Sequence, residues 1–233
     1  MLKTRQDYYF DGYYRSKFSS NPTLTKILDI SNELLQDKVK DGFELISKYQ
    51  TTADLRPSAY QYDPCFLNVL FENDIPNLVN DLVGYPLTLG HIQVRLASSR
   101  EGWSYMTWHR DLYRYAGKVI GPVPSSHKLI FYPKLNQKEE DILGILPGSH
   151  LQQHETEKED QKYLLDNRNK EVLIQNSDSE FVFYNASMLH ATKPNTIHQP
   201  RIIYSFCADN NLGDFPENKE LHETYKDWVR RNG

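Results

Sequence analysis

No apolar run in this 233-residue chain approaches the roughly 18 residues that a membrane-spanning helix needs, so no span is expected. Cysteine is scarce. Cys65 and Cys207 are the only two, and their separation matches no metal-finger or redox spacing. They read as small buried residues of a reducing compartment, without a disulfide. A basic excess is also missing: 27 Lys and Arg against 31 Asp and Glu leave a net charge of −4, which argues against a general nucleic-acid binder. The stretch Met1 to Asp7 has no apolar signal region, and the cytoplasm is the expected location. Internal repeats, low-complexity tracts and linkers are absent, so one domain over residues 1–233 is the simplest expectation. Nothing in the sequence specifies an oligomeric state.

What is present points to β-structure. Apolar content of 39% and charged content of 25% are ordinary for a globular protein. Aromatic residues make up 12%, with 16 Tyr, a composition that favours strands. Residues 1–20 are Tyr-rich and polar and are expected to lie as an arm over the domain. Asn21-Pro22 has the form of a helix start, and Leu24, Ile27, Leu28, Leu34 and Leu35 continue it to about Val39. Phe43 to Tyr49 reads as a second short helix or a strand, and 51–64 as loop. Cys65 to Val83 reads as one or two helices broken at Ile75-Pro76 and ended by Gly84-Tyr85-Pro86.

From Leu87 the texture changes. Leu87–Ala97, Tyr105–Trp108, Lys128–Tyr132, Ile142–Leu146, Glu171–Ile174, Glu180–Tyr184 and Arg201–Cys207 are short strand candidates. Helices followed by such strands suggest a β-sandwich or jelly roll with an N-terminal helical cap. Residues 1–86 would be mainly helical support, 87–207 the core and 208–233 a polar tail with a helix near Leu221–Val229. The charged stretch between His150 and Lys170 fits a solvated helix or a loop over one end of the barrel.

The chemistry centres on Tyr105-Met106-Thr107-Trp108-His109-Arg110-Asp111. Residues two apart on a strand share a face, so His109 and Asp111 can aim an imidazole and a carboxylate at one point. A second histidine, His190, would complete a two-histidine, one-carboxylate face that leaves metal positions open and suits non-heme Fe(II). Eleven residues beyond His190 stands Arg201, whose planar fork suits a carboxylate. His-x-Asp is a weak pattern alone, because 8 His in 233 residues leave ample room for chance.

Its surroundings add weight. Trp108-His109-Arg110-Asp111, then Ile145-Leu146-Pro147-Gly148-Ser149-His150, then Phe183 to Asn195, then Pro200-Arg201 follow one another in order. In these features the chain resembles the phytanoyl-CoA dioxygenase family of Fe(II)- and 2-oxoglutarate-dependent oxygenases, over about residues 65–207. The resemblance implies a double-stranded β-helix, a distorted, cupin-like jelly roll. It implies that His109, Asp111 and His190 ligate iron, and that Arg201 binds the distal carboxylate of 2-oxoglutarate with Thr192 donating a hydroxyl beside it. Gln93, on the preceding strand, falls where relatives often place a contact to 2-oxoglutarate. The cofactors implied are Fe(II), 2-oxoglutarate as co-substrate and O₂. The "PGSH" turn is structural in that family, so His150 is not expected to be a ligand. Asp111 favours hydroxylation or a related oxidation, since halogenating relatives have Gly or Ala there.

Between His91 and Lys134 stand seven basic residues (95, 100, 110, 114, 118, 128 and 134) against Glu101 and Asp111. Such a stretch is either a solvated face or a mouth that attracts a small anionic substrate. Other readings stay open: a non-catalytic jelly-roll ligand-binding protein, a protein side-chain hydroxylase of the same fold, or a Zn or Mn site doing hydrolysis. The last lacks a general base and leaves Arg201 without a role.

Overall fold

A computed structural model describes every residue except 1–3, 20, 41–51, 56–58, 98–107, 116–117, 123–125, 134–140, 153, 155, 176–178, 193–199, 209–218 and 233. Among the described residues, six α-helices and eleven strands follow in the order α1 (Arg5–Asp11), β1 (Tyr13–Lys17), α2 (Asn21–Lys40), β2 (Thr52–Leu55), α3 (Cys65–Glu72), α4 (Ile75–Val83), β3 (Thr88–Ala97), β4 (Leu112–Tyr115), β5 (Lys118–Pro122), β6 (His127–Phe131), β7 (Asp141–Ile145), α5 (Glu157–Asn167), β8 (Val172–Gln175), β9 (Glu180–Asn185), β10 (His190–Thr192), β11 (Pro200–Cys207) and α6 (Lys219–Asn232). The strands form a six-stranded sheet, β1-β9-β6-β11-β3-β2, a three-stranded sheet, β10-β7-β8, and the hairpin β4-β5, with every pair antiparallel.

Alternation along the central strands sets the layers. In β11 every residue is buried, so both faces of this strand are covered. Ile202, Tyr204 and Phe206 join Ile92, Val94, Leu129, Phe131, Phe181 and Phe183 on one face. There they pack against Leu24 and Ile27 of α2, Phe66 and Leu70 of α3, Val79 of α4 and Leu221 and Tyr225 of α6. The opposite face carries Ile130, Val182, Tyr184 and Ile203, which meet Leu143, Ile145, Ile174 and Met188 from the small sheet and its approach. Two sheets face each other across this second cluster while helices cover the back of the larger one. This is the jelly roll with flanking helices that the sequence leads one to expect.

Several details differ from the sequence reading. The N-terminal region is not only helical support: β1 and β2 are the two edges of the large sheet. Thr52–Leu55, expected in a loop, pairs with Val94–Ala97. The Tyr-rich arm is a capped helix followed by a strand paired to β9. The helix break falls at Asn73-Asp74, where Asp74 adopts φ 53°, and Pro76 lies in the first turn of the next helix, which starts at Ile75. The charged segment after His150 contains α5, with Thr156 and Glu159 forming a capping box. Its Asp160 and Leu164 are buried, so this helix is docked and not simply solvated. The expected element at Phe43–Tyr49 and residues Tyr105–Thr107 of the expected strand lie outside the described residues.

The Pro147–His150 turn is indeed a stitching point. Gly148 has φ 76°, a left-handed conformation that glycine adopts without the usual side-chain clash. Its N–H donates to the Asp11 carbonyl at 3.1 Å, and His150 Nε2 donates to the Tyr9 carbonyl at 2.8 Å. The turn therefore holds α1 and the chain beyond it.

Candidate metal centre

The three residues of the predicted ligand set meet between the two sheets, although not through a continuous strand. His109 forms an isolated antiparallel bridge with His190. The His109 N–H donates to the His190 carbonyl and the His190 N–H to the His109 carbonyl, each at 3.0 Å. The Asp111 N–H then donates to the Ala186 carbonyl at 2.9 Å, and regular pairing resumes only in β4. The bridge puts both histidines at one level, and β10 starts at His190, paired with Ile145.

One ligating atom from each of His109, Asp111 and His190 lies within 4.8 Å of the others. His109 Nε2 is 3.7 Å from Asp111 Oδ1, and His190 Nε2 is 3.6 Å from Asp111 Oδ2. Neighbouring ligands about 2.1 Å from one ion would be about 3 Å apart, so a slight inward turn of the side chains would suffice. The ring of His190 is held in one sense. Its Nδ1–H donates to the Met188 carbonyl at 2.8 Å, which leaves the Nε2 lone pair facing Asp111. Tyr184 packs edge-on to this ring at 5.1 Å.

Charge organises the site as well. Lys128 Nζ stands 2.6 Å from Asp111 Oδ2. Burial opposes ionisation of Asp111, but Lys128, the His109 hydrogen bond and the two histidines outweigh it and hold the carboxyl well below its usual range. Burial pushes His190 down to about 3, against the opposing pull of Asp111. An ionised carboxylate and a neutral imidazole are the protonation states that a divalent metal requires.

The large sheet carries two further predicted residues on the same inner face. Gln93 pairs with Ile203, and Arg201 lies two residues from Ile203 on β11. Both are 3% exposed. Thr192 pairs through its backbone with Leu143, while its side chain lies outside the described residues. Lys128 was not singled out as a site residue from sequence, where it appears as the start of the Lys128–Tyr132 strand candidate and as one of seven basic residues. Its signal is parity: in His127–Phe131 it shares the inner face with Ile130, between Tyr184 and Ser205 of the neighbouring strands.

Buried neutral histidines predict an acid response of the metal-free protein. Burial, then the charge of His150, pushes His127 down to about 3, as burial does for His190. The unfolded chain takes up these protons near 6.5, so the unfolded state binds more protons than the folded one between the two values. The stability from both groups is fully present above about pH 6.5 and falls away towards about pH 3, by up to about 1.4 kcal/mol per pH unit for each histidine. Urea unfolding at steps from about pH 7.5 to about pH 4.5 should show the loss, and flat stability over that range would contradict it.

No family model and no curated protein matches the sequence. Solved structures do match. The non-heme alpha-ketoglutarate-dependent epimerase SnoN from nogalamycin biosynthesis superposes with a TM-score of 0.65 at 14% identity, covering 91% of this chain and 86% of that one. HygX from Streptomyces hygroscopicus, solved with nickel and 2-oxoglutarate, gives 0.63 at 14% identity over 90% of this chain and 88% of its own. EctD from S. alaskensis, solved with bound Fe, gives 0.63 at 12% identity over 89% and 76%. The likeness establishes the shared fold.

Proposed function

We propose that this chain is an Fe(II)- and 2-oxoglutarate-dependent dioxygenase of the phytanoyl-CoA dioxygenase type, acting on a small, anionic metabolite. The observation that carries the reading is the convergence of His109, Asp111 and His190 between the sheets, with Arg201 buried on the same inner face. The donor set fits the metal: two imidazoles and one carboxylate gather on one side and leave the remaining positions to a chelating co-substrate and O₂. That SnoN is named as alpha-ketoglutarate dependent, and that HygX is solved with nickel and 2-oxoglutarate, adds support.

Each residue has a part in this reading. His109 and His190 offer Nε2 and Asp111 one carboxylate oxygen. Met188 fixes the His190 ring through its carbonyl. Lys128 balances Asp111 and keeps it ionised. Arg201, which cannot lose its charge, receives the far carboxylate of 2-oxoglutarate, and Thr192 and Gln93 are the further contacts that the family resemblance implies. Ile130, Leu143, Ile145, Ile174 and Ile203 form the apolar packing between the two sheets. Iron with 2-oxoglutarate and O₂ supplies the oxidative decarboxylation to succinate and CO₂ that drives oxidation of the substrate. Of the seven basic residues around the iron motif, Lys128 and Arg110 are engaged with Asp111 and Asp160, and the sequence excess of the other five favours an anionic substrate.

The test is succinate release by purified protein given Fe(II), 2-oxoglutarate and a panel of carboxylate, phosphate and thioester metabolites. Iron-dependent succinate that one anionic compound stimulates is the expected result. Iron binding without any succinate release would leave a non-catalytic binding protein of the same fold.

A further inference from the structure

Arg110 stands between the first two candidate ligands and is itself 8% exposed. Its Nε donates to Asp160 Oδ1 of α5 at 2.8 Å. Its Nη1 donates to the Ser149 carbonyl at 2.6 Å and to the Ser187 carbonyl at 2.7 Å. One guanidinium therefore joins four segments: the His109–Asp111 stretch, the Pro147–His150 turn, the approach to His190, and α5.

The approach to His190 is built to receive this contact. The Met188 N–H donates to the Asn185 carbonyl at 3.0 Å, and the Ser187 N–H to Asn185 Oδ1 at 2.9 Å. The Leu189 N–H donates to Ser149 Oγ at 2.8 Å. On the α5 side Asp160 is 5% exposed, and its Oδ1 also stands 2.8 Å from His154 Nδ1. Gln161 Nε2 donates to the Trp108 carbonyl at 3.2 Å, beside His109. Trp108 and Tyr163 pack against Leu146, Leu164 and Leu189. The ligand-bearing segments also meet through the isolated His109–His190 bridge and the Asp111 N–H to Ala186 carbonyl hydrogen bond.

We propose that Arg110 and Asp160 are positioning residues that clamp the two ligand-bearing segments together, so that metal affinity depends on α5. The inference rests on the reading that His109, Asp111 and His190 hold a metal. A buried charge pair of this kind imposes one arrangement on the segments it joins. Arginine suits the task because its rigid fork reaches a carboxylate and two carbonyl oxygens at once, which a lysine ammonium does not reproduce.

Asp160→Asn keeps the shape of the acceptor and removes its charge. Arg110→Lys keeps the charge and removes the fork. Cobalt(II) affinity, measured against a competing chelator, and the visible cobalt spectrum at saturation are read beside the unfolding temperature of the metal-free protein. Loss of an outer partner of a metal ligand commonly costs 10- to 100-fold in affinity, so a rise of about 10- to 100-fold in the cobalt Kd is expected in both variants, with an altered spectrum. Lys162→Met, which breaks an exposed Lys162–Asp166 pair on α5, should leave both readouts unchanged. A lowered unfolding temperature with wild-type cobalt affinity and spectrum in the folded variants would overturn the clamp and leave the pair a purely structural role. Where Asp160→Asn does not fold, Arg110→Lys decides on the same terms. Failure of the wild type to bind cobalt is a distinct result: it overturns the metal reading, and the clamp with it.

Discussion

Replacing Arg201 by alanine is expected to raise the 2-oxoglutarate concentration needed for half-saturation by about 30- to several-thousand-fold. The reason is burial. Arg201 is 3% exposed, on the inner face of β11 beside Ile203. A carboxylate brought there and left without its cation costs roughly 2–5 kcal/mol, and about 1.4 kcal/mol corresponds to each tenfold. Arg201→Lys should recover part of the loss, since an ammonium restores charge without the two parallel hydrogen bonds. Iron affinity should change little, because Arg201 is not among the converging donors. The readout is a titration of 2-oxoglutarate against the visible absorbance that a 2-oxo acid gives on chelating Fe(II). An unchanged midpoint in Arg201→Ala would remove Arg201 from the co-substrate site.

The second large effect is at Asp111. Asp111→Ala should weaken Fe(II) or Co(II) binding by more than about 100-fold, beyond the 10- to 100-fold that loss of an outer partner costs. Asp111 is the only anion of the three converging residues. Without it the site keeps two imidazoles and the Lys128 ammonium, which stands 2.6 Å from the present carboxylate. An unbalanced cation there repels a divalent metal. Asp111→Asn preserves shape and should bind metal nearly as poorly, which separates charge from packing. Equilibrium dialysis against the metal measures both variants, and near-wild-type binding in Asp111→Ala would exclude Asp111 as a ligand.

The periodic parts of the fold were legible in the sequence. Leu87–Ala97, Glu180–Tyr184 and Arg201–Cys207 are read as strands and are strands to within a residue or so at each end. Their apolar residues are dense because both faces are buried, and a dense run is a local signal. The edges were not legible. Tyr13–Lys17 and Thr52–Leu55 are four or five residues long, and pairing to β9 and β3 makes them strands. Such pairing is a long-range event that no local pattern encodes. The tail helix was legible in type but not in importance. Leu221 and Tyr225 are fully buried, and Trp228 stacks on Phe71 at 4.7 Å, yet these anchors stand among charged residues.

The candidate site divides in the same way. His109, Asp111 and His190 were legible because residue types that share a chemistry stood in a recognisable order. The means of convergence was not legible: an isolated bridge between His109 and His190 sets the two histidines side by side. Lys128 and Asp160 were missed because each acts through a partner distant in sequence. Lys128 reaches Asp111 across the interior, and Asp160 meets Arg110 fifty positions earlier.

The most direct test of the central reading is a crystal structure of the protein soaked anaerobically with Fe(II) and 2-oxoglutarate. The expected result is one iron about 2.0–2.3 Å from His109 Nε2, one Asp111 oxygen and His190 Nε2, chelated by 2-oxoglutarate whose far carboxylate lies on the Arg201 fork. Iron bound elsewhere, or 2-oxoglutarate with its far carboxylate away from Arg201, would contradict it.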